Sequence, residues 1–140
     1  MLVAEDNLTN QKLVVTLLRQ RGFAVATVDN GRSAVERSAA QPFDIILMDL
    51  QMPEVGGLEA TLAIRAREQK MGGHTPIVAL TAYATPGDHE RCRAVGMDGY
   101  LTKPVRPEEL FTTIESILSS SGPIVVPAPW RDAALSTPAG

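Results

Sequence analysis

The segment DIILMD, residues 44–49, decides the fold of this chain. Its four consecutive apolar residues predict a short strand that is buried on both faces, as in a parallel sheet. A charge inside such a strand is very costly, whereas a charge at its carboxyl end lies at the edge where open α/β sheets bind ligands. Asp49 is therefore placed like a reactive group, with Gln51-Met52-Pro53 in the loop behind it.

Short apolar runs alternate with helical patterns along the rest of the chain. We predict strands at residues 2–4, 23–28, 45–48, 77–80 and 100–101. We predict helices at residues 8–21, 33–40, 58–70 and 88–95, and a last one that starts at residue 107. The helices carry apolar stripes, of which the clearest are Leu13, Val14, Leu17 and Leu18 in the first and Leu110, Ile114, Ile117 and Leu118 in the last. Asn30-Gly31 is predicted to be a turn.

Five βα repeats predict one α/β domain over residues 1–119. Its architecture is a doubly wound (βα)5 fold with a five-stranded parallel sheet, helices on both faces and right-handed crossovers. From residue 120 to residue 140 the chain is rich in Pro, Ser and Ala, which is typical of a linker or a disordered tail. Trp130, the one tryptophan, lies in this tail.

Composition excludes several classes of function. A net charge of -3 over 140 residues gives no electrostatic reason to expect nucleic acid or an anionic membrane surface as a partner. No apolar run approaches the roughly 20 residues that cross a bilayer. The single cysteine, Cys92, excludes an internal disulfide framework and is interpreted as structural, which fits a reducing cytoplasm.

Acidic residues follow two strands that are neighbours at the switch point of such a sheet. Glu5 and Asp6 come after the first strand and Asp49 after the third, so we expect three carboxylates to meet at one edge. Their mutual repulsion calls for a cation, and hard oxygen ligands suit Mg²⁺ or Mn²⁺. The sequence therefore predicts a divalent metal site there.

Two further polar residues end the neighbouring strands. Thr81 follows the fourth strand with a hydroxyl group, and Lys103 follows the fifth with an ammonium group. Carboxylates, a divalent ion, a hydroxyl and an ammonium together indicate phosphoryl transfer, with Asp49 as the nucleophile that forms an aspartyl phosphate. Each residue alone is more often a cap or a surface residue than a functional one, but convergence on one edge is the mark of an active site.

At these residues the chain resembles the response-regulator receiver domain of two-component signalling. It is most similar to the receivers attached to hybrid sensor histidine kinases, and the resemblance covers residues 1 to about 119. The matching stretches are LVAEDN (2–7), NQ (10–11), ILMDLQMP (46–53), EAT (59–61) with IR (64–65), PIVALTA (76–82) and GMDGYLTKP (96–104). The resemblance implies the flavodoxin-like strand order 2-1-3-4-5.

The resemblance also implies a role for each site residue. Asp49 matches the phosphoacceptor, and Asp6 and Asp49 match carboxylate ligands of the metal. Glu5 acts through the water shell of the metal, and the backbone carbonyl of Gln51 is the remaining protein ligand.

Three more positions match residues that respond to the phosphoryl group. Thr81 engages it through its hydroxyl, Lys103 pairs with it, and Tyr100 is the aromatic that swings inward as Thr81 moves. The Lys103–Pro104 bond resembles the cis peptide of the family. The surface that changes conformation is the fourth helix, fifth strand and fifth helix.

The function implied is phosphorelay signalling. The domain accepts a phosphoryl group from a histidine kinase or a histidine phosphotransfer domain; it is no enzyme, but assists its own phosphorylation and dephosphorylation. We expect a monomer, or a weak homodimer through the switching surface, that contacts neither nucleic acid nor membrane directly. The expected location is the cytoplasm, for a stand-alone receiver or for the cytoplasmic part of a membrane-bound hybrid kinase.

Some positions depart from the family, and other functions compete. Many relatives have an acid where Gly56 stands, the first strand is short, and Tyr83 is predicted to shield the phosphoryl group from water. A phosphatase of the haloacid dehalogenase type would need a second Asp at position 51, where this chain has Gln. A P-loop nucleotide domain or a flavodoxin is another alternative, but the chain has no Gly-x-x-x-x-Gly-Lys-Ser/Thr run. A phosphate-independent scaffold receiver stays an alternative.

Overall fold

The computed structural model describes residues 1–52, 55–82 and 86–119. The strands are β1 (Leu2–Ala4), β2 (Ala26–Val28), β3 (Ile46–Asp49), β4 (Ile77–Thr81) and β5 (Gly99–Thr102). The helices are α1 (Leu8–Gln20), α2 (Gly31–Ala40), α3 (Gly57–Met71), α4 (Pro86–Ala94) and α5 (Pro107–Ser119). The strands form one parallel sheet in the order β2-β1-β3-β4-β5, so the predicted fold class is confirmed.

The strand β3 is buried along its whole length, as its apolar sequence predicts. Ile46 and Met48 pack on one face with residues of α2, α3 and α4, while Ile45 and Leu47 pack on the other face with residues of α1 and α5. Helices thus cover both faces of the sheet. Asp49 is itself the last paired residue of the strand, one position further than the sequence predicts, and its pairing partner is Leu80.

Two predicted boundaries near β2 are corrected by the structure. The strand begins at Ala26 rather than residue 23, because β1 offers only three residues for pairing and the first pair is Leu2 with Ala26. The predicted turn at Asn30-Gly31 is wrong. Asn30 instead caps α2, accepting a hydrogen bond from the Ser33 N–H at 2.7 Å, and Gly31 is the first residue of the helix.

The apolar stripes of two helices are narrower than predicted. In α1 the buried residues are Val14 and Leu18, whereas Leu13 is 42% exposed. In α5, Leu110, Ile114 and Ile117 are buried and Leu118 is 43% exposed. At about 100° per residue, the outermost members of a four-residue stripe lie at the margin of the buried face.

A buried ion-pair network closes the edge of the sheet at the amino ends of β4 and β5. The guanidinium group of Arg65 on α3 pairs with Glu68 and, at 2.8 Å, with Asp98. It also donates to the backbone carbonyls of Thr75 and Gly96 at 2.8 and 2.9 Å. This network fixes the loops before β4 and β5 at the end of the molecule opposite Asp49. In the part of the chain that the structure describes, no helix is long and apolar enough to span a bilayer.

Candidate functional site

The three predicted carboxylates meet at the carboxyl edge of the sheet. In the pairing of β1 with β3, Ala4 lies beside Met48, so the residues that follow, Glu5 and Asp49, come side by side. One carboxylate oxygen each from Glu5, Asp6 and Asp49 lies within 4.8 Å of the others. Glu5 and Asp49 are buried, at 0% and 2% exposure, whereas Asp6 faces solvent. An ion from solvent would therefore reach the cluster from the side of Asp6.

Lys103 supplies the positive charge of the site. It follows β5, and its backbone N–H donates to the Thr81 carbonyl at 2.7 Å, which carries the chain back toward β4. The Lys103 Nζ atom lies 2.8 Å from Glu5 Oε1 and 3.0 Å from Asp49 Oδ2. The peptide bond between Lys103 and Pro104 is cis, as the family resemblance implies.

Thr81 and Tyr100 lie on one face of the sheet beside the cluster. Thr81 is the last residue of β4 and is buried. Tyr100 pairs with Ala79, two residues before Thr81, so the side chains of Tyr100 and Thr81 lie on the same face. The Tyr100 ring is buried in the core cluster that also contains Cys92 and Met97. The structure therefore places the predicted switch pair close to the predicted phosphoacceptor.

Gln51 contacts Asp49 through a group that the sequence did not single out. Its backbone N–H donates to Asp49 Oδ1 at 3.1 Å, while its side chain is exposed. An aspartate that accepts from the N–H two residues ahead forms an Asx turn, so the order Asp-x-Gln was the available signal. This bond helps to orient the carboxylate at the end of β3.

The three central groups shift one another's proton affinity. Burial, followed by a hydrogen bond with Glu5, raises the pKa of Asp49 to about 7, against the opposing effects of Lys103 and the Gln51 N–H. Burial also acts to raise the pKa of Glu5, but its hydrogen bonds with Asp49 and Lys103 outweigh that effect and hold this pKa below its usual range. Burial acts to lower the pKa of Lys103, yet the two carboxylates beside it raise it.

The residues present fit a small divalent cation. Three carboxylates face one ammonium group, which leaves an excess of negative charge when all of them are ionised. Among the described residues, the buried oxygen Glu5 Oε1 has no directed hydrogen bond, and its contact is the ion pair with Lys103. Hard oxygen donors in a half-open cluster of this kind are the ligands that Mg²⁺ and Mn²⁺ prefer.

Two residues that hold the site were not predicted to do so. Gln11 donates from its side-chain amide to the Glu5 carbonyl at 3.1 Å, and Gly57 approaches the back of Asp49 so closely that a Cβ atom there would lie 2.3 Å from the Asp49 carbonyl oxygen. Neither contact has a local sequence signal, since both depend on the packing of a helix against a strand end. Tyr83, with its predicted shielding role, lies outside the described residues.

Comparison with known proteins identifies the family. Residues 1–115 match the response regulator receiver domain family. Among curated proteins, hybrid signal transduction histidine kinase I of Dictyostelium discoideum is 47% identical over an alignment of 120 residues that covers 82% of this chain. The chain spans 7% of the length of that kinase.

Two solved structures share the fold and part of the sequence. One is the receiver domain of sensor histidine kinase PA1611 from Pseudomonas aeruginosa PAO1, with a magnesium ion coordinated in its active site cleft; it is 41% identical, with a TM-score of 0.78, over 85% of this chain and 96% of that one. The other is the Saccharomyces cerevisiae receiver domain of Ssk1 in complex with the histidine phosphotransfer protein Ypd1, 33% identical with a TM-score of 0.78, over 82% and 85% of the two chains. The chain therefore belongs to the response regulator receiver domain family, the phosphorelay module of two-component signalling.

Proposed function

We propose that Asp49 is the phosphoacceptor of this receiver domain. A carboxylate oxygen of Asp49 attacks the phosphorus of a phosphohistidine, so that the O–P bond of an aspartyl phosphate forms and the N–P bond of the donor breaks. The observation that carries this proposal is the position of Asp49: it ends a buried strand, lies 3.0 Å from the ammonium of Lys103, and is grouped with two other carboxylates.

The residues around Asp49 suit this step. The N–H of Gln51 and the ammonium of Lys103 both bind its carboxylate, which supports the ionised form that attacks phosphorus. Asp6, Asp49 and the backbone carbonyl of Gln51 would hold Mg²⁺ or Mn²⁺, with Glu5 acting through the water shell. The bound ion would offset the charge of the carboxylates and of the phosphoryl oxygens.

Three residues are proposed to respond to phosphorylation of Asp49: Thr81, Lys103 and Tyr100. Lys103 is close enough to Asp49 to pair with a phosphoryl oxygen after transfer, and Thr81 ends the neighbouring strand with a hydroxyl donor. Movement of Thr81 toward the phosphate would change the packing around the Tyr100 ring, which is already buried on the same face of the sheet. The conformational change would then reach the surface made by α4, β5 and α5, which also serves any weak homodimer.

The proposed partner is a histidine kinase or a histidine phosphotransfer domain. Support comes from the similarity to the receiver of a hybrid kinase and to a receiver bound to a phosphotransfer protein. We further propose that residues 1–119 are the receiver; residues 120–140, for which the sequence predicts a linker or a tail, lie outside the described residues. The domain is also proposed to assist its own phosphorylation and dephosphorylation. Its proposed location is the cytoplasm, either alone or as part of a hybrid kinase.

Treatment with a small-molecule phosphodonor and Mg²⁺, followed by intact mass measurement, tests the phosphoacceptor. We expect one phosphate adduct on the full chain, and none on Asp49→Asn or after removal of the metal ion, because the substituted amide is a poor nucleophile. Asp44→Asn is the matched control, since Asp44 is exposed at the other end of the same segment and should leave the adduct intact. An adduct that persists in Asp49→Asn would refute the proposal.

A phosphorylated histidine phosphotransfer protein should be tested as a second donor. Transfer from it would support the partner assignment, because the related receiver domain of Ssk1 forms a complex with a histidine phosphotransfer protein. If neither donor gives an adduct, the phosphate-independent scaffold is the better description of the domain.

A further inference from the structure

We propose that Gln11 is a positioning residue that sets the metal affinity of the acidic cluster by fixing the peptide group between Glu5 and Asp6. This inference rests on the proposed function, because it concerns the metal that the cluster would hold. Gln11 lies in the second turn of α1 and touches none of the three carboxylates through any hydrogen bond of the described residues. Its action would therefore pass through the backbone.

The side-chain amide of Gln11 joins two strand ends to α1. Its Nε2 atom donates to the Glu5 carbonyl at 3.1 Å and to the Val28 carbonyl at 3.4 Å. The Val28 carbonyl also accepts from the Glu5 N–H at 3.0 Å, which extends the pairing of β1 with β2 by one residue. One amide group thus binds β1, β2 and the start of α1 together at the point where the acidic loop leaves the sheet.

The Glu5 carbonyl belongs to the peptide group that leads into Asp6. That group is planar, so fixing the direction of its oxygen also fixes the position of the Asp6 N and Cα atoms. Glu5 is buried and Asp6 is exposed, so this one peptide group joins the buried carboxylate of the cluster to the exposed one. Without the Gln11 amide, the carbonyl could turn to water and take the Asp6 carboxylate with it.

The other side of the loop has anchors of its own. The Asn7 side chain accepts from the Asn10 N–H at 3.1 Å, and the Asn7 N–H lies 3.4 Å from Glu5 Oε2. These bonds fix the start of α1, but they do not involve the carbonyl of Glu5. Among the described residues, the Gln11 side-chain amide is the group that donates a hydrogen bond to that carbonyl. Partners that orient metal ligands typically contribute 10–100-fold to metal affinity.

The test compares Gln11→Met with Gln20→Met in the full chain. Methionine matches glutamine in length and helix propensity but has no donor, and Gln20 is exposed at the last residue of the same helix. The dissociation constant for Mn²⁺ is measured from the paramagnetic resonance signal of free Mn²⁺, with thermal unfolding in chelator as a parallel readout. We expect Gln11→Met to weaken Mn²⁺ binding about tenfold and Gln20→Met to leave it within about twofold.

A purely structural role for Gln11 predicts a different pattern. It would lower the unfolding temperature without changing the Mn²⁺ dissociation constant of the folded chain, and that result would overturn the proposal. If Gln11→Met does not fold, Gln11→Asn replaces it, because that amide stays polar but is one methylene too short to reach both carbonyls; the same weakening is expected.

The two proposals can fail separately. Mn²⁺ binding is measured without any phosphodonor. A chain that binds the metal but never forms an adduct at Asp49 would refute the proposed phosphoacceptor role, and the effect of Gln11→Met on the Mn²⁺ dissociation constant could still be measured. Wild-type protein that does not bind Mn²⁺ would overturn the role of Gln11, whatever the outcome of the mass measurement.

Discussion

Asp49 is ionisable, yet its side chain is 2% exposed. A carboxylate in such a place loses the solvation that water gives, and the nearby Glu5 competes with it for the ammonium of Lys103. The pKa of Asp49 therefore rises to about 7, so that near neutral pH a proton or a bound cation decides its charge. At the scale of single residues, this crowding of charges lowers the stability of the metal-free fold.

Asp49→Asn should stabilise the metal-free protein at about pH 8 by on the order of 1 kcal/mol. A raised pKa in the folded state means that the native protein holds a proton which the unfolded chain has already released, so wild-type stability falls as pH rises from the unfolded value of 3.8 to about 7. The variant has no such loss, and Lys103 keeps Glu5 as its partner.

Urea unfolding in the presence of a chelator measures this difference. The gain should shrink at about pH 5, where the native Asp49 is mostly protonated. Asp44→Asn, a change at an exposed acid, should alter stability by less than about 0.5 kcal/mol at either pH. An Asp49→Asn protein that is less stable than wild type at the higher pH would contradict the claim that ionised Asp49 destabilises the metal-free fold.

At the scale of elements, the start of α3 is packed directly behind β3, the strand that ends in the proposed phosphoacceptor Asp49. Gly56 is the N-cap of this helix and Gly57 is its first residue. The Gly57 N–H donates to the Leu50 carbonyl at 3.2 Å. The glycine is needed for close approach, because a side chain at position 57 would meet the backbone of Asp49.

Gly57→Ala should destabilise the domain by about 2 kcal/mol, as overpacking against backbone usually does. The ideal Cβ atom lies 2.3 Å from the Asp49 carbonyl oxygen, so either α3 or the end of β3 must shift. A shift of β3 would also slow phosphorylation of Asp49, which the adduct measurement follows in parallel.

Gly99→Ala is the matched control for this substitution. Its Cβ atom would make an ordinary contact at 3.4 Å with the Val78 side chain, and strands tolerate Ala better than Gly. In urea unfolding, we expect Gly57→Ala to have a clearly lower free energy of unfolding than Gly99→Ala. Equal stability of Gly57→Ala and wild type would contradict the tight packing of α3 on β3.

At the scale of the whole molecule, the two ends of the sheet are held by different means. The carboxyl edge carries the charge cluster, whereas the opposite edge is fixed by the Arg65 network, in which Glu68 accepts from the Thr75 N–H at 2.6 Å. Burial acts to raise the pKa of Glu68, but the Thr75 N–H and the Arg65 guanidinium outweigh it and lower this pKa below its usual 4.5.

Glu68→Gln should lower the free energy of unfolding by about 1–2 kcal/mol at neutral pH. A carboxylate whose folded pKa is depressed stabilises the protein above its unfolded pKa, and this contribution is lost as pH falls through the folded value. The difference between variant and wild type should therefore narrow toward about pH 3. Arg65 keeps its bond to Asp98, which limits the loss.

Glu115→Gln serves as the control for this network. Glu115 forms an exposed ion pair with Arg21 at 3.6 Å, and such pairs contribute little, about 0–1 kcal/mol. Chemical unfolding of both variants at neutral and acidic pH gives the comparison. If Glu68→Gln shows the same deficit at both pH values, the deficit comes from packing and not from the charge of Glu68.

Much of the fold and part of the site followed from sequence because the signals are local. The apolar run of β3, the helical stripes and the acids at strand ends depend on side-chain period and on polarity, which neighbouring residues reveal. The order of elements then placed Glu5 and Asp49 at one edge. The start of β2 was missed because the length of its pairing is set by β1, far away in the sequence. The start of α2 was missed although its signal is local, since Asn30 caps the helix by accepting from the Ser33 N–H.

Residue types and their order are enough to predict an α/β domain with carboxylates, a hydroxyl and an ammonium at successive strand ends. How those groups meet is visible only in the folded chain: Lys103 contacts both Glu5 and Asp49, Gln11 binds the Glu5 carbonyl, and α3 packs against Asp49. The reason is physical. Residue type and period are set by the chain locally, whereas distances between groups far apart in sequence exist only once the sheet and its helices have packed.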